Sequence, residues 1–135
     1  MRLSDRINRV EPSPTLSITA KANALKADGV DVISFSAGEP DFDTPGPIVE
    51  AAKEALDEGK TRYTAARGIV ELREAIAKDY KRRGRDVSAD QVVVTVGGKQ
   101  ALFNATQVLF QEGDEVIVPS PYWVSYPAQM KLAGA

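Results

Sequence analysis

The chain has 135 residues, 17 of them basic and 19 acidic, with a formal net charge of −2. That is the length of about one small domain, and the charge gives no electrostatic reason to expect nucleic acid or an anionic membrane as partner. Cysteine and histidine are both absent, which excludes disulfides, thiolate- or histidine-ligated metal sites and a Ser-His-Asp triad within these residues.

The opening stretch "MRLSDRINRVEPSP" is charged and lacks the apolar centre of a secretory signal. No run approaches the roughly 18 apolar residues of a membrane-spanning helix. The expected location is cytoplasmic. A short N-terminal helix should break at "EPSPT", residues 11–15, where two prolines interrupt it. Thr15 is then placed to cap a helix that runs to about Asp28 and ends at Gly29. "VDVISF" (30–35) alternates apolar and polar residues as a short strand does. "SAGEPDFDTPGP" (36–47) reads as a loop by its Gly, Pro and Asp content. Thr44 followed by Pro45 predicts the start of a helix. Its apolar residues Ile48, Val49, Ala52, Ala55 and Leu56 recur at helical spacing, and Gly59 closes it.

"KTRYTAARG" (60–68) predicts another loop. Ile69, Leu72, Ile76 and Tyr80 mark one face of an amphipathic helix reaching about Arg83. "QVVVTV" (91–96) is almost wholly apolar, as a strand buried on both faces is. A helix from Gly98 to about Gln111 carries apolar residues around most of its circumference and is expected to be buried. "DEVIVPSPYW" (114–123) gives a second strand and a proline-rich turn. A last helix covers about Val124 to Leu132. Strands alternating with helices imply an α/β architecture. Two clear strands and one short one are fewer than a doubly wound sheet requires. The chain therefore reads as the front part of something larger, with an incomplete sheet.

The junction "VVVTVGGKQALFN" (92–104) carries the strongest chemical signal. A strand that enters a helix through Gly97 and Gly98 presents unpaired N–H groups at the helix start. The helix dipole adds partial positive charge there, and glycine removes the Cβ that would hold an anion away. This suits a phosphate or carboxylate. It equally suits a tight turn with no ligand, and these residues alone leave both open. Two phosphate motifs are excluded. A P-loop would require Gly at Val93 and Ser or Thr at Gln100, and the dinucleotide G-x-G-x-x-G pattern has no match around Gly97.

Four stretches, "SAGEPDFDTP", "GKTRYTAARG", "VTVGGKQALFN" and "PSPYWVSYP", occur in the order and spacing of class I aminotransferases. Together they resemble the N-terminal third of that family's bacterial aspartate and prephenate aminotransferase branch, over essentially the whole chain. The resemblance implies a fold type I pyridoxal 5′-phosphate-dependent transferase: a helical N-terminal arm with a small-domain segment over residues 1–45, then the first part of the large cofactor domain over 46–135. It further implies that "QVVVTV" and "EVIVP" are not sheet neighbours, because strands from later in the family sequence lie between them.

The implied residue roles are these. Gly98 and Lys99 match the positions whose backbone amides hold the cofactor phosphate. Gly97 stands where relatives often carry Ser, so that hydroxyl contact is absent. Trp123 matches the aromatic residue lying against the pyridine ring, where a flat apolar wall fixes ring tilt. As a bare residue it reads first as a core tryptophan, and only the resemblance gives it the ring. Gly38 matches a glycine facing the substrate α-carboxylate, and is equally explained by turn chemistry. Tyr63 matches a tyrosine that reaches the partner subunit's cofactor phosphate as a neutral donor. The Lys99 side chain matches a group that binds the distal carboxylate of a dicarboxylic substrate, and Ser13 and Thr15 match residues closing over it. The lysine that the family joins to the cofactor, the aspartate at the pyridine nitrogen and the arginine for the α-carboxylate have no counterpart in these 135 residues.

The resemblance therefore implies an aminotransferase that moves an amino group between aspartate or glutamate and a 2-oxo acid. It also implies small-molecule partners, no metal and a homodimer. These residues themselves supply no catalytic group. Two other readings stand beside it: a module that binds phosphate or pyridoxal phosphate without chemistry, and an inert segment that associates through open apolar strands.

Overall fold

The computed structural model describes residues 2–135. Five α-helices form: α1 (Pro14–Ala27), α2 (Gly46–Asp57), α3 (Val70–Arg82), α4 (Gly97–Leu109) and α5 (Ser125–Ala133). Short 3-10 turns cover Ile7–Arg9 and Ala89–Gln91. The chain divides into two compact units, one of residues 1–43 with 103–135 and the other of residues 44–102.

In the first unit, α1 begins at Pro14 with Ser13 as its cap. The Ser13 hydroxyl accepts from the Leu16 amide at 3.5 Å. The cap expected at Thr15 is thus two residues too late. Proline is best tolerated in the first turn, where its missing N–H costs nothing, so Ser-Pro is the start signal and Thr15 lies inside the helix. Gly29 follows the helix end at φ 80°. The expected N-terminal helix is only the Ile7–Arg9 turn, against which α5 packs. Helix α5 ends at Gly134, whose φ is 102°.

In the second unit, α2 starts one step later than expected. Pro45 occupies the cap position, Pro47 lies in the first turn, and Thr44 makes no cap. Gly59 adopts φ 71° after the helix. Helix α3 packs on the Ala89–Gln91 turn. Near its C-terminus the Asp79 carboxylate accepts from Arg82 at 2.6 Å and from Arg83 at 2.7 Å. The hydrogen bond from Arg82 is the main reason its carboxyl titrates below the ordinary aspartate range.

The three expected strands do not form as strands among the described residues. Gln91 ends a 3-10 turn, and Val92 continues in extended geometry (φ −107°, ψ 132°). Two residues later the Val94 amide donates to the Arg67 carbonyl at 3.0 Å. These residues are extended but bonded to a loop, because a ladder needs a second strand alongside to accept its regular hydrogen bonds. Several apolar side chains of these stretches stay in the open, Phe35 94% exposed and Ile117 92%. The expected burial of α4 also fails. Leu102, Phe103, Val108 and Leu109 are exposed, and Thr106 is its buried residue. Among the described residues the buried apolar side chains are Ala22 and Val92. An apolar helix circumference signals burial only where other elements cover it.

Candidate functional site

Helix α4 starts where the sequence places an anion site. Gly97 is at φ 76°, left-handed backbone that glycine adopts without the Cβ penalty other residues meet. A side chain added at Gly97 or Gly98 would meet no atom within 4 Å. The space over the helix start is open, as a bound phosphate requires. The turn is held by its own side chains. The Gln100 side-chain oxygen Oε1 accepts from the Val96 amide at 2.6 Å, and the Thr95 hydroxyl donates to the Gly97 backbone carbonyl at 2.9 Å. The sequence motif assigns no role to either side chain. Their signal is a Thr and a Gln bracketing a glycine pair, the residue types that bond back to nearby backbone. With these bonds made, the first-turn amides of α4, including those of Gly98 and Lys99, lie at the positive end of a 13-residue helix.

Gly98 and Lys99 are therefore together at one helix end, in the second unit. Tyr63 belongs to the same unit, in the 60–68 loop, with its ring fully exposed. Ser13, Thr15, Gly38 and Trp123 belong to the first unit.

Within the first unit, hydroxyl groups join the start of α1 to the segment leading to Gly38. The Thr19 hydroxyl donates to the Thr15 carbonyl at 2.8 Å. Having one proton, it must then accept from Ser36, 2.9 Å away. Ser36 in turn accepts from Ser34 at 2.9 Å. The order Ser34 to Ser36 to Thr19 to Thr15 is thus fixed in direction. It fastens residue 36, two positions before Gly38, against α1.

Trp123 lies just before α5, with its carbonyl accepting from the Tyr126 amide at 3.0 Å. The residue is 55% exposed. The open glycine turn at the start of α4 suits in kind the phosphate of pyridoxal phosphate, and Trp123 of the other unit is the residue type that a planar ring packs against. Among the described residues no cluster of acidic side chains is spaced to hold a metal ion. A groove lined by Ile76, Tyr80, Val87, Gln91, Val92 and Val93 contains none of the candidate residues.

The family model described as "Aminotransferase class I and II" matches residues 30–135. An aspartate/prephenate aminotransferase of Thermus thermophilus is 53% identical over 133 residues, which are 98% of this chain and 34% of that protein. An aspartate aminotransferase of Bacillus subtilis is 50% identical, covering 99% of this chain and 34% of its own length. The solved structure of the Thermus thermophilus aspartate aminotransferase with maleate superposes with a TM-score of 0.93 at 53% identity, over 99% of this chain and 36% of that one. The chain spans about a third of the length of the curated relatives it matches.

Proposed function

The chain belongs to the class I and II aminotransferases, and we propose that it forms the N-terminal segment of a pyridoxal phosphate-dependent enzyme that moves an amino group between aspartate or glutamate and a 2-oxo acid. One observation carries the reading: the open, left-handed glycine start of α4, with the amides of Gly98 and Lys99 in its first turn. When bound, pyridoxal phosphate supplies the electron sink that makes amino-group transfer possible. The residues of this chain bind and orient. Gly98 and Lys99 hold the phosphate through their amides, and Trp123 fixes the plane of the ring and keeps water from one face. Tyr63 reaches the phosphate of a partner subunit in a homodimer. Gly38 faces the α-carboxylate.

The preference for a dicarboxylic substrate rests on Lys99, with Ser13 and Thr15 closing over the distal carboxylate. The naming of the relatives supports it, as does maleate, a dicarboxylate, in the Thermus thermophilus structure. Residues 1–45 then serve as arm and small-domain segment, and 46–135 as the start of a large domain whose sheet is completed by strands from elsewhere. A cytoplasmic, small-molecule enzyme fits this reading.

A second reading is favoured by the sparse core, in which Ala22 and Val92 are the buried apolar residues among those described. On its own the chain is catalytically inert and at most holds phosphate or pyridoxal phosphate non-covalently.

The test joins this chain to the remaining two thirds of the Thermus thermophilus relative and titrates the product with pyridoxal phosphate. Trp123→Ala should weaken cofactor binding by about fivefold, the loss of aromatic packing worth on the order of 1 kcal/mol. Unchanged affinity and turnover would remove Trp123 from the site.

A further inference from the structure

We infer that Arg73 is a positioning residue for the phosphate-binding turn, acting through two backbone carbonyls. This rests on the reading that the start of α4 holds the cofactor phosphate. Arg73 lies in the first turns of α3, and its side chain is only 11% exposed. Its Nη1 donates to the Ala89 carbonyl at 2.9 Å and its Nε to the Gly68 carbonyl at 3.3 Å. The Asp90 carboxylate is 3.7 Å away, but 89% exposed, so water screens that pair and it adds little. The guanidinium therefore spends its donors on backbone. It fastens the end of the 60–68 loop to the 3-10 turn at Ala89–Gln91.

Those two pieces of backbone flank the segment that delivers the α4 glycines. The Ala89–Gln91 turn leads directly into Val92, which is 7% exposed. Two residues on, the Val94 amide bonds the Arg67 carbonyl at 3.0 Å, and the Val94 side chain lies against the Cα of Gly68. Three residues further is Gly97. Arg73 thus holds both the carbonyl before this segment and the loop beside it. The same loop carries Tyr63 five residues upstream of Gly68. One largely buried guanidinium so sets the placement of the segment that delivers the Gly98 and Lys99 amides relative to the loop that carries Tyr63. A lysine cannot replace it, because a single ammonium on a flexible stem lacks the planar fork that spans two fixed acceptors.

The experiment uses this chain joined to the rest of the Thermus thermophilus relative. It compares the affinities for pyridoxal phosphate and for pyridoxal, which lacks the phosphate, by equilibrium dialysis. The 31P resonance of the bound cofactor is followed in parallel. Arg73→Lys should lower affinity for pyridoxal phosphate by about tenfold, the size of one lost charge-assisted hydrogen bond, while pyridoxal affinity stays within about twofold. The 31P resonance should move toward that of the free cofactor. Guanidinium at low millimolar concentration should restore the affinity ratio in Arg73→Ala, and urea should not. Equal losses for both ligands in Arg73→Lys would show a purely structural role and overturn the inference, including where Arg73→Ala does not fold. A well-folded unsubstituted protein that prefers neither ligand would instead overturn the phosphate reading of α4, and this inference with it.

Discussion

Gly68 and Val94 are packed so closely that a Cβ on Gly68 would fall 2.6 Å from Val94 Cγ2. Gly68 is also at φ 95°. Both the contact and the backbone angle therefore require glycine. The left-handed backbone costs an alanine about 1–2 kcal/mol, and forcing a methyl into an occupied space adds about 1–3 kcal/mol. Gly68→Ala should therefore be among the most destabilising single changes in residues 44–102, while Gly98→Ala, with open space around it, should cost no more than about 1 kcal/mol of stability. Urea denaturation of both variants checks this. Equal midpoints for the two would show that Gly68 and Val94 are not locked together.

The directed hydroxyl chain from Ser34 to Thr15 predicts a specific asymmetry. Thr19→Val keeps the shape of the side chain but removes both of its hydrogen bonds, and should cost about 0.5–1.5 kcal/mol for each. Ser13→Ala removes a cap whose hydrogen bond is long, at 3.5 Å, and should cost toward the low end of about 0.5–2 kcal/mol. Thr15→Ala leaves the accepting carbonyl in place and should be nearly neutral for folding. A Thr15→Ala variant less stable than Thr19→Val would contradict this order.

Asp79 supplies a pH signature. Its folded carboxyl titrates below the ordinary aspartate range because of Arg82 and Arg83. The stabilisation is present above the unfolded-state value and is lost as pH falls through the folded one. The melting temperature should thus drop on acidification more steeply in the unsubstituted chain than in Asp79→Asn. Parallel acid profiles for the two would show that the pairs contribute nothing measurable.

Lys99 separates binding from specificity. Its amide serves the phosphate in the proposed function and survives substitution, whereas its side chain serves the distal carboxylate. Lys99→Ala, in the chain joined to the rest of its Thermus thermophilus relative, should reduce kcat/KM for aspartate by on the order of 10- to 100-fold. That corresponds to a lost charge-assisted hydrogen bond of about 1.5–3 kcal/mol. An apolar amino acid should lose far less. Equal losses would remove Lys99 from substrate recognition.

Much of the helical framework was legible because helix signals are local. Gly59 and Gly29 mark ends that the structure keeps, and the apolar spacing of Ile48 to Leu56 and of Leu72 to Tyr80 gives α2 and α3 to within a few residues. The two caps were misread at Thr15 and Thr44 because a proline in the first turn decides the start more strongly than a nearby threonine does. The strands expected at 30–35, at 91–96 and within 114–123 do not form among the described residues. A ladder depends on partners distant in sequence, and alternation or apolarity cannot supply them. The α4 start was legible from its glycines. Arg73 was not, because its partners are carbonyls, which carry no residue identity.

The most direct test of the central claim is glutamate formation from aspartate and 2-oxoglutarate with pyridoxal phosphate, measured for this chain alone and for this chain joined to the rest of the Thermus thermophilus relative. The account predicts turnover by the joined protein and, from the chain alone, nothing above free cofactor. No group in these residues is assigned to hold the cofactor's reactive carbon in fixed geometry, and such positioning is worth several orders of magnitude in rate. A joined protein that melts cooperatively yet forms no glutamate, or turnover by the chain alone, would contradict it.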